Sequence, residues 1–179
     1  MLFTLRLMDH LRALIRDVPD FPEAGIVFKD IAPLLGDATA LNQALDLMAD
    51  PHRDRGISQV AGIEARGFIL ATPVAARIAA GFVPIRKPGK LPWKTVETTY
   101  DLEYGSDSIE VHADAVAPGD RVLIVDDVLA TGGTAAAAVD LMQSLGAEVV
   151  GVSVLVELAF LGGRAKLDVP IDTVIVYDD

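Results

Sequence analysis

The sequence predicts an α/β fold: a mostly parallel, twisted sheet flanked by helices. Three observations carry this. Short runs rich in Val, Ile and Leu recur at residues 59–63, 82–85, 122–125, 149–156 and 173–177. These runs are continuously apolar rather than alternating, which suits strands covered on both faces. Stretches with helical spacing lie between them, at residues 68–80 and 134–145, and strand–helix–strand alternation is the pattern of a parallel sheet.

Taken in order, Leu7, Leu11, Leu14 and Ile15 repeat at helical spacing, with Thr4 a candidate N-cap, and this first helix stops near Pro19. Asp20-Phe21-Pro22-Glu23-Ala24-Gly25 is rich in turn formers, and Ile26-Val27-Phe28 gives it a short extended tail. Leu41, Leu45 and Met48 mark a second helix that Pro51 ends. The helix over 68–80 contains Pro73, which is tolerated only near its first turn or at a kink. Residues 98–104 and 108–112 predict a hairpin around Gly105-Ser106. Gly146 is the expected C-cap of the helix over 134–145.

The chain has 179 residues, 51% apolar and 23% charged, which fits one domain over 1–179 and excludes a disordered chain. A chain of this size buries about 70% of its unfolded surface and needs no disulfide or structural metal. It has no Cys, so thiolate metal sites and cysteine nucleophiles are excluded. The net charge of −11 argues against nucleic-acid binding, which needs a basic surface. His10, His52 and His112 are scattered and form no HExxH pair. The N-terminal stretch carries Arg6, Asp9, His10 and Arg12, and residues 67–85 are broken by Pro73 and Arg77. Neither reads as a secretory or membrane segment, so the expectation is a soluble cytoplasmic protein.

The most informative segment runs from Arg121 to Thr134. An apolar strand meets Asp126-Asp127, and Ala130-Thr131-Gly132-Gly133-Thr134 then opens a helix. Ligands of open α/β sheets bind beyond the carboxyl ends of strands. The two glycines let the backbone approach a ligand closely, and helix N–H groups with the Thr131 and Thr134 hydroxyls suit a phosphate. Adjacent carboxylates would repel phosphate, so Asp126 and Asp127 suit sugar hydroxyls or a hard cation such as Mg²⁺. The order of residues matches neither a Walker loop nor GxGxxG. Residues 65–96 contain no acid in a chain with 26 of them, yet hold Arg66, Arg77, Arg86, Lys87, Lys90 and Lys94. That is a local positive field suited to a polyphosphate. Residues 87–99, with Pro88, Gly89, Pro92 and Trp93, read as a mobile lid.

The Arg121–Thr134 segment resembles the phosphoribosyl pyrophosphate (PRPP) motif of type I phosphoribosyltransferases. Asp20-Phe21-Pro22 through Lys29-Asp30-Ile31, Ile85-Arg86-Lys87-Pro88-Gly89-Lys90-Leu91-Pro92, Tyr100-Asp101-Leu102-Glu103-Tyr104-Gly105 and Leu155-Val156-Glu157-Leu158 resemble the adenine phosphoribosyltransferases of that family. The resemblance covers nearly the whole chain. It implies a type I phosphoribosyltransferase fold with a small N-terminal hood within residues 1–35 and a flexible lid over 87–99. It implies Mg²⁺-dependent purine salvage, in which adenine and PRPP give AMP and pyrophosphate, by a homodimer.

The resemblance also implies roles. Ala130, Thr131, Gly132, Gly133 and Thr134 would hold the 5′-phosphate. Asp126 and Asp127 would face the ribose hydroxyls, directly or through the metal. Arg66, Arg86, Lys87 and Lys90 would contact pyrophosphate. Glu103 would assist proton movement on the purine, with Tyr104 facing the pocket. Val27, Lys29 and Leu158 would contact the base; many members have Arg where this chain has Lys29. The alternatives are an enzyme for hypoxanthine, guanine or xanthine, or a noncatalytic PRPP-binding regulator. The acidic chain and short N-terminal helices argue against the regulator, and the intact Asp126–Thr134 segment argues against a degenerate homologue.

Overall fold

The structure is a computed structural model that describes residues 2–101 and 105–179. The chain forms two compact units, Met1–Leu47 and Met48–Asp179.

In the first unit, α1 (Leu2–Ala13) is followed by a two-stranded antiparallel ribbon, β1 (Arg16–Pro19) and β2 (Val27–Asp30), then α2 (Ala32–Gly36) and most of α3 (Ala38–Ala49). Thr4 lies inside α1 rather than at its start. The sequence reading missed β1, because Arg16-Asp17-Val18-Pro19 has almost no apolar signal. Pairing with β2 creates it: Arg16 faces Asp30 and Pro19 faces Val27. Opposite charges across the ribbon reinforce the register, with Arg16 and Asp30 at 3.3 Å and Lys29 Nζ 2.8 Å from Asp17 Oδ1. The short α2 was also unread; its five residues, with Pro at the N-terminal end, carry too little periodicity.

The second unit is built on a five-stranded, fully parallel sheet in the order β4-β3-β7-β8-β9. Its strands are β3 (Gln59–Ile63), β4 (Gly81–Ile85), β7 (Arg121–Leu129), β8 (Glu148–Leu158) and β9 (Ile171–Tyr177). Helix α4 (Arg66–Arg77) links β3 to β4, and α5 (Gly133–Ser144) links β7 to β8. Consecutive strand residues face opposite sides of a sheet. Ala61, Ile63, Val122 and Ile124 pack in one cluster with Ala138, Leu141 and Met142 of α5. Gly62 faces the other way, where an added Cβ would lie 2.7 Å from Ala71 Cβ of α4. The helices therefore cover opposite faces, which is why these strands are apolar throughout. Pro73 lies inside α4, well past its first turn. Ile69, whose carbonyl loses its i+4 donor to Pro73, is 48% exposed.

The hairpin of β5 (Thr95–Asp101) and β6 (Ser106–His112) is antiparallel, with Val96 and Tyr100 packed against the α5-side cluster. Residues 95–97, expected only as part of the loop over 87–99, are thus strand; the irregular part runs over residues 87–94. Strand β7 extends four residues beyond the apolar run, carrying Asp126-Asp127 within it. Gly146 follows α5 at φ +86° and donates its N–H to Gln143 O, the C-terminal role its position suggested.

Candidate active site

Strand β3 pairs with β4 on one side and β7 on the other, and each begins a crossover on a different face. The carboxyl ends of β3 and β7 therefore form the switch point of the sheet, the place where open α/β sheets bind ligands. Both segments singled out in the sequence leave from there: Glu64-Ala65-Arg66-Gly67 after β3 and Ala130-Thr131-Gly132 after β7.

The β7–α5 turn encloses an open depression of about 340 Å³ lined by Asp126 and residues 128–135. Gly132 sits at φ +80° directly before α5. The first N–H groups of a helix such as α5 have no partner within it, so this turn can serve as an anion cradle. The cradle has a second wall that the sequence reading missed. A Cβ on Gly132 would lie 2.3 Å from Gly163 O, and one on Gly163 would lie 2.1 Å from Ala130 O. Backbone stacks on backbone here, and only glycine fits on either side. The Gly162-Gly163 pair was the available signal.

Asp126 lines the cradle, and Asp127 is the next residue on β7. Asp126 Oδ1 accepts the Asp127 N–H at 2.9 Å, and Asp127 Oδ2 lies 2.8 Å from Arg66 Nε. Gly67 lets this happen, since a Cβ there would fall 2.8 Å from Asp126 Oδ1. Desolvation, and then the neighbouring Asp127 charge, push the Asp126 carboxyl well up. Asp127 is only 5% exposed; desolvation raises it too, and the Arg66 guanidinium opposes this.

The basic residues are held by acids from outside the acid-free window. Glu64 accepts from Arg86 Nε at 3.1 Å, from the Lys87 backbone N–H at 3.1 Å and from Lys90 Nζ at 2.6 Å. Desolvation works to raise the Glu64 carboxyl, but the Lys90, Lys87 and Arg86 hydrogen bonds prevail and bring it down to about 2. Glu110, buried on β6, accepts the backbone N–H groups of Lys90 and Leu91 at 3.0 and 3.1 Å. Lys87 Nζ is ion-paired to Asp107. Arg86 also donates to Lys90 O at 3.0 Å and lies over the Phe68 ring. Glu64, Asp107 and Glu110 had no assigned role in the sequence; acids between strand residues look like ordinary solvent-facing positions.

The residues expected at the base divide between the units. Val27, 47% exposed, and Lys29, bonded to Asp17, belong to the first. Leu158 ends β8 in the second, next to Glu157, which Arg164 and Thr173 hold. Glu103 and Tyr104 lie outside the described residues.

Residues 35–178 match the family model of the phosphoribosyl transferase domain. The chain is 63% identical to the adenine phosphoribosyltransferase of Thermobifida fusca over 153 residues, 86% of this chain and 87% of that one. The crystal structure of the Rhodothermus marinus adenine phosphoribosyltransferase superposes with a TM-score of 0.93 at 51% identity, covering 97% of this chain and 99% of that one. The Saccharomyces cerevisiae enzyme, complexed with an imino-altritol 1,6-bisphosphate and adenine, superposes at 0.88 with 37% identity, covering 95% and 99%. With a glycine-walled anion cradle, an Asp pair and a basic loop gathered at the sheet's switch point, the chain belongs to the phosphoribosyltransferase family, among its adenine phosphoribosyltransferases.

Proposed function

We infer that this enzyme transfers the phosphoribosyl group of PRPP to adenine, releasing AMP and pyrophosphate, through the residues gathered at the switch point. The observation that carries this reading is the cradle: the glycine-walled start of α5, with Asp126 in its lining and Asp127 next to it on β7. Residues 130–134 hold the 5′-phosphate. Asp126 and Asp127 face the ribose hydroxyls and the positive charge that builds on the ring as the anomeric bond breaks. Arg66, Arg86, Lys87 and Lys90 take the charge that collects on pyrophosphate. Adenine N9 attacks from the opposite side, so no protein nucleophile is required and positioning carries the rate. Glu103 assists the purine proton, and Val27, Lys29 and Leu158 contact the base. The loop over 87–94 closes on the sugar and keeps water from the activated carbon.

The residues fit Mg²⁺. Among the described residues there is no cluster of three or more His, Asp or Glu able to cage a metal. Mg²⁺ needs none: it binds through one or two carboxylates together with substrate oxygens and water. Asp126 and Asp127 would hold it indirectly, through the ribose hydroxyls or water, where it would neutralise pyrophosphate charge. The enzyme is a cytoplasmic homodimer in this reading; among the described residues no helix is long and apolar enough to cross a membrane.

A purine panel tests the assignment. With PRPP and Mg²⁺, the protein is expected to form AMP from adenine. IMP, GMP or XMP as the main product would overturn the base assignment. PRPP binding without turnover on any base would overturn the enzymatic one.

A further inference from the structure

One network beside the cradle contains two residues, Tyr100 and Asp107, that no role above uses. Thr134 stands at the start of α5, and its Oγ1 lies 3.0 Å from Tyr100 Oη. Tyr100 Oη donates to Asp107 Oδ2 at 3.2 Å. Lys87 Nζ is ion-paired to the same Oδ2, while Asp107 Oδ1 accepts the Ser108 N–H at 2.8 Å. Three side chains on β5, β6 and α5 thus connect the anion cradle to the basic loop.

Counting protons gives the chain a direction. A phenol has one proton and a carboxylate has none. While Tyr100 donates to Asp107, its bond to Thr134 must use the Thr134 proton. A phosphate in the cradle accepts that same proton. Tyr100 keeps its bond to Thr134 only by turning its own proton toward Oγ1, which withdraws it from Asp107. Lys87 remains as the side-chain partner of Oδ2 within the network. With the cradle empty, Tyr100 covers Oδ2 if Lys87 departs; with the cradle filled, a departing Lys87 strands the carboxylate oxygen. The Lys87 ammonium shows the pairing: desolvation works to lower its pKa, yet the Asp107 and Tyr100 contacts raise it.

We propose that Tyr100 is a positioning residue that couples the two anion sites, so that phosphate in the cradle keeps Lys87 on Asp107 and weakens pyrophosphate binding at the basic loop. This rests on the reading in which Thr134 takes the 5′-phosphate and Lys87 the pyrophosphate. Once the anomeric bond is broken, each product loosens the hold on the other.

The test is calorimetric titration of magnesium pyrophosphate, with and without saturating ribose 5-phosphate, on the wild-type protein, Tyr100→Phe and Asp107→Asn. Trp93, the chain's one tryptophan, sits in the basic loop and gives a parallel emission signal. Direct charge repulsion between the ligands is common to all three proteins. The wild type is expected to show an antagonism about fivefold larger than either variant, the size of one hydrogen bond. Ribose 5-phosphate alone should bind all three within about threefold, since coupling acts between the sites rather than on one of them. Equal antagonism in all three proteins would overturn the coupling and leave the site reading intact. Failure of wild-type protein to bind ribose 5-phosphate, or no weakening of it in Thr134→Val, would overturn the site reading and the coupling with it. Asp107→Asn keeps the side chain's shape, so the coupling stays testable if Tyr100→Phe does not fold.

Discussion

The cradle and the basic loop both receive phosphate oxygens in this reading, yet they are built in opposite ways. The cradle is made of backbone: helix N–H groups, Gly132 in a left-handed conformation and Gly163 pressed against it. Its donors cannot be reoriented without moving the chain. The basic loop is made of long side chains, and in the described structure Arg86, Lys87 and Lys90 are each engaged by a carboxylate or carbonyl. Its cations must exchange partners to meet a ligand. Acid also acts on the two in opposite senses. The raised Asp126 loses a burial cost when protonated, whereas the lowered Glu64 loses its hydrogen bonds. Rigid donors suit the phosphate that stays on the sugar, and exchangeable cations suit the pyrophosphate that must leave.

Changes at the cradle are expected to abolish activity, and changes at the loop to retune it. Asp127→Asn should lower turnover by about 10²–10³-fold with the protein still folded, as loss of one charge-stabilising group does in other enzymes. Steady-state kinetics with a thermal melt checks this, and unchanged turnover removes Asp127 from the mechanism. Gly163→Ala should cost about 100-fold in kcat/KM for PRPP, because its Cβ overlaps Ala130 O and a misplacement near 1 Å costs this much. A variant that binds PRPP normally would show that the cradle yields more easily than its stacked backbone suggests. Glu64→Gln should raise the KM for PRPP about tenfold with a smaller change in kcat, since hydrogen bonds to a charged group are worth about 1.5–3 kcal/mol and the loop must then order itself on binding. A large fall in kcat instead would place Glu64 nearer the chemistry.

The smallest effect is one of pH. The Glu64 carboxyl is held at about 2, below its ordinary 4.5. Its contribution is therefore complete above 4.5 and is lost as the pH falls toward about 2. Trp93 emission should report loosening of the loop across that window in the wild type and stay flat in Glu64→Gln. A flat wild-type profile would mean that Glu64 does not hold the loop.

Much of this was legible beforehand. The five sheet strands, α4 and α5 followed from apolar runs and helical spacing, because burial on both faces leaves no other pattern open to them. Ala130–Thr134 was legible because a left-handed residue before a helix calls for glycine, a local demand. What was missed is non-local. Arg16–Pro19 becomes a strand only by pairing with Val27–Asp30, and Gly163 matters only because the fold lays it on Gly132. The acid-free window contains Arg66, Arg86, Lys87 and Lys90. The positive field inferred from it is locally countered, since Glu64 lies just outside the window and Asp107 and Glu110 arrive on β6.

By itself, the sequence determined the α/β class, the strand order along the chain, the glycine-rich turn and the Asp pair. Each is set by burial or backbone torsion within a few residues. Only the tertiary structure decided the strand order across the sheet, the switch point that gathers the two turns, and the carboxylate partner of each cation. Those depend on which distant segments share a surface, and an ion pair or a backbone contact leaves no mark on the periodicity of either segment.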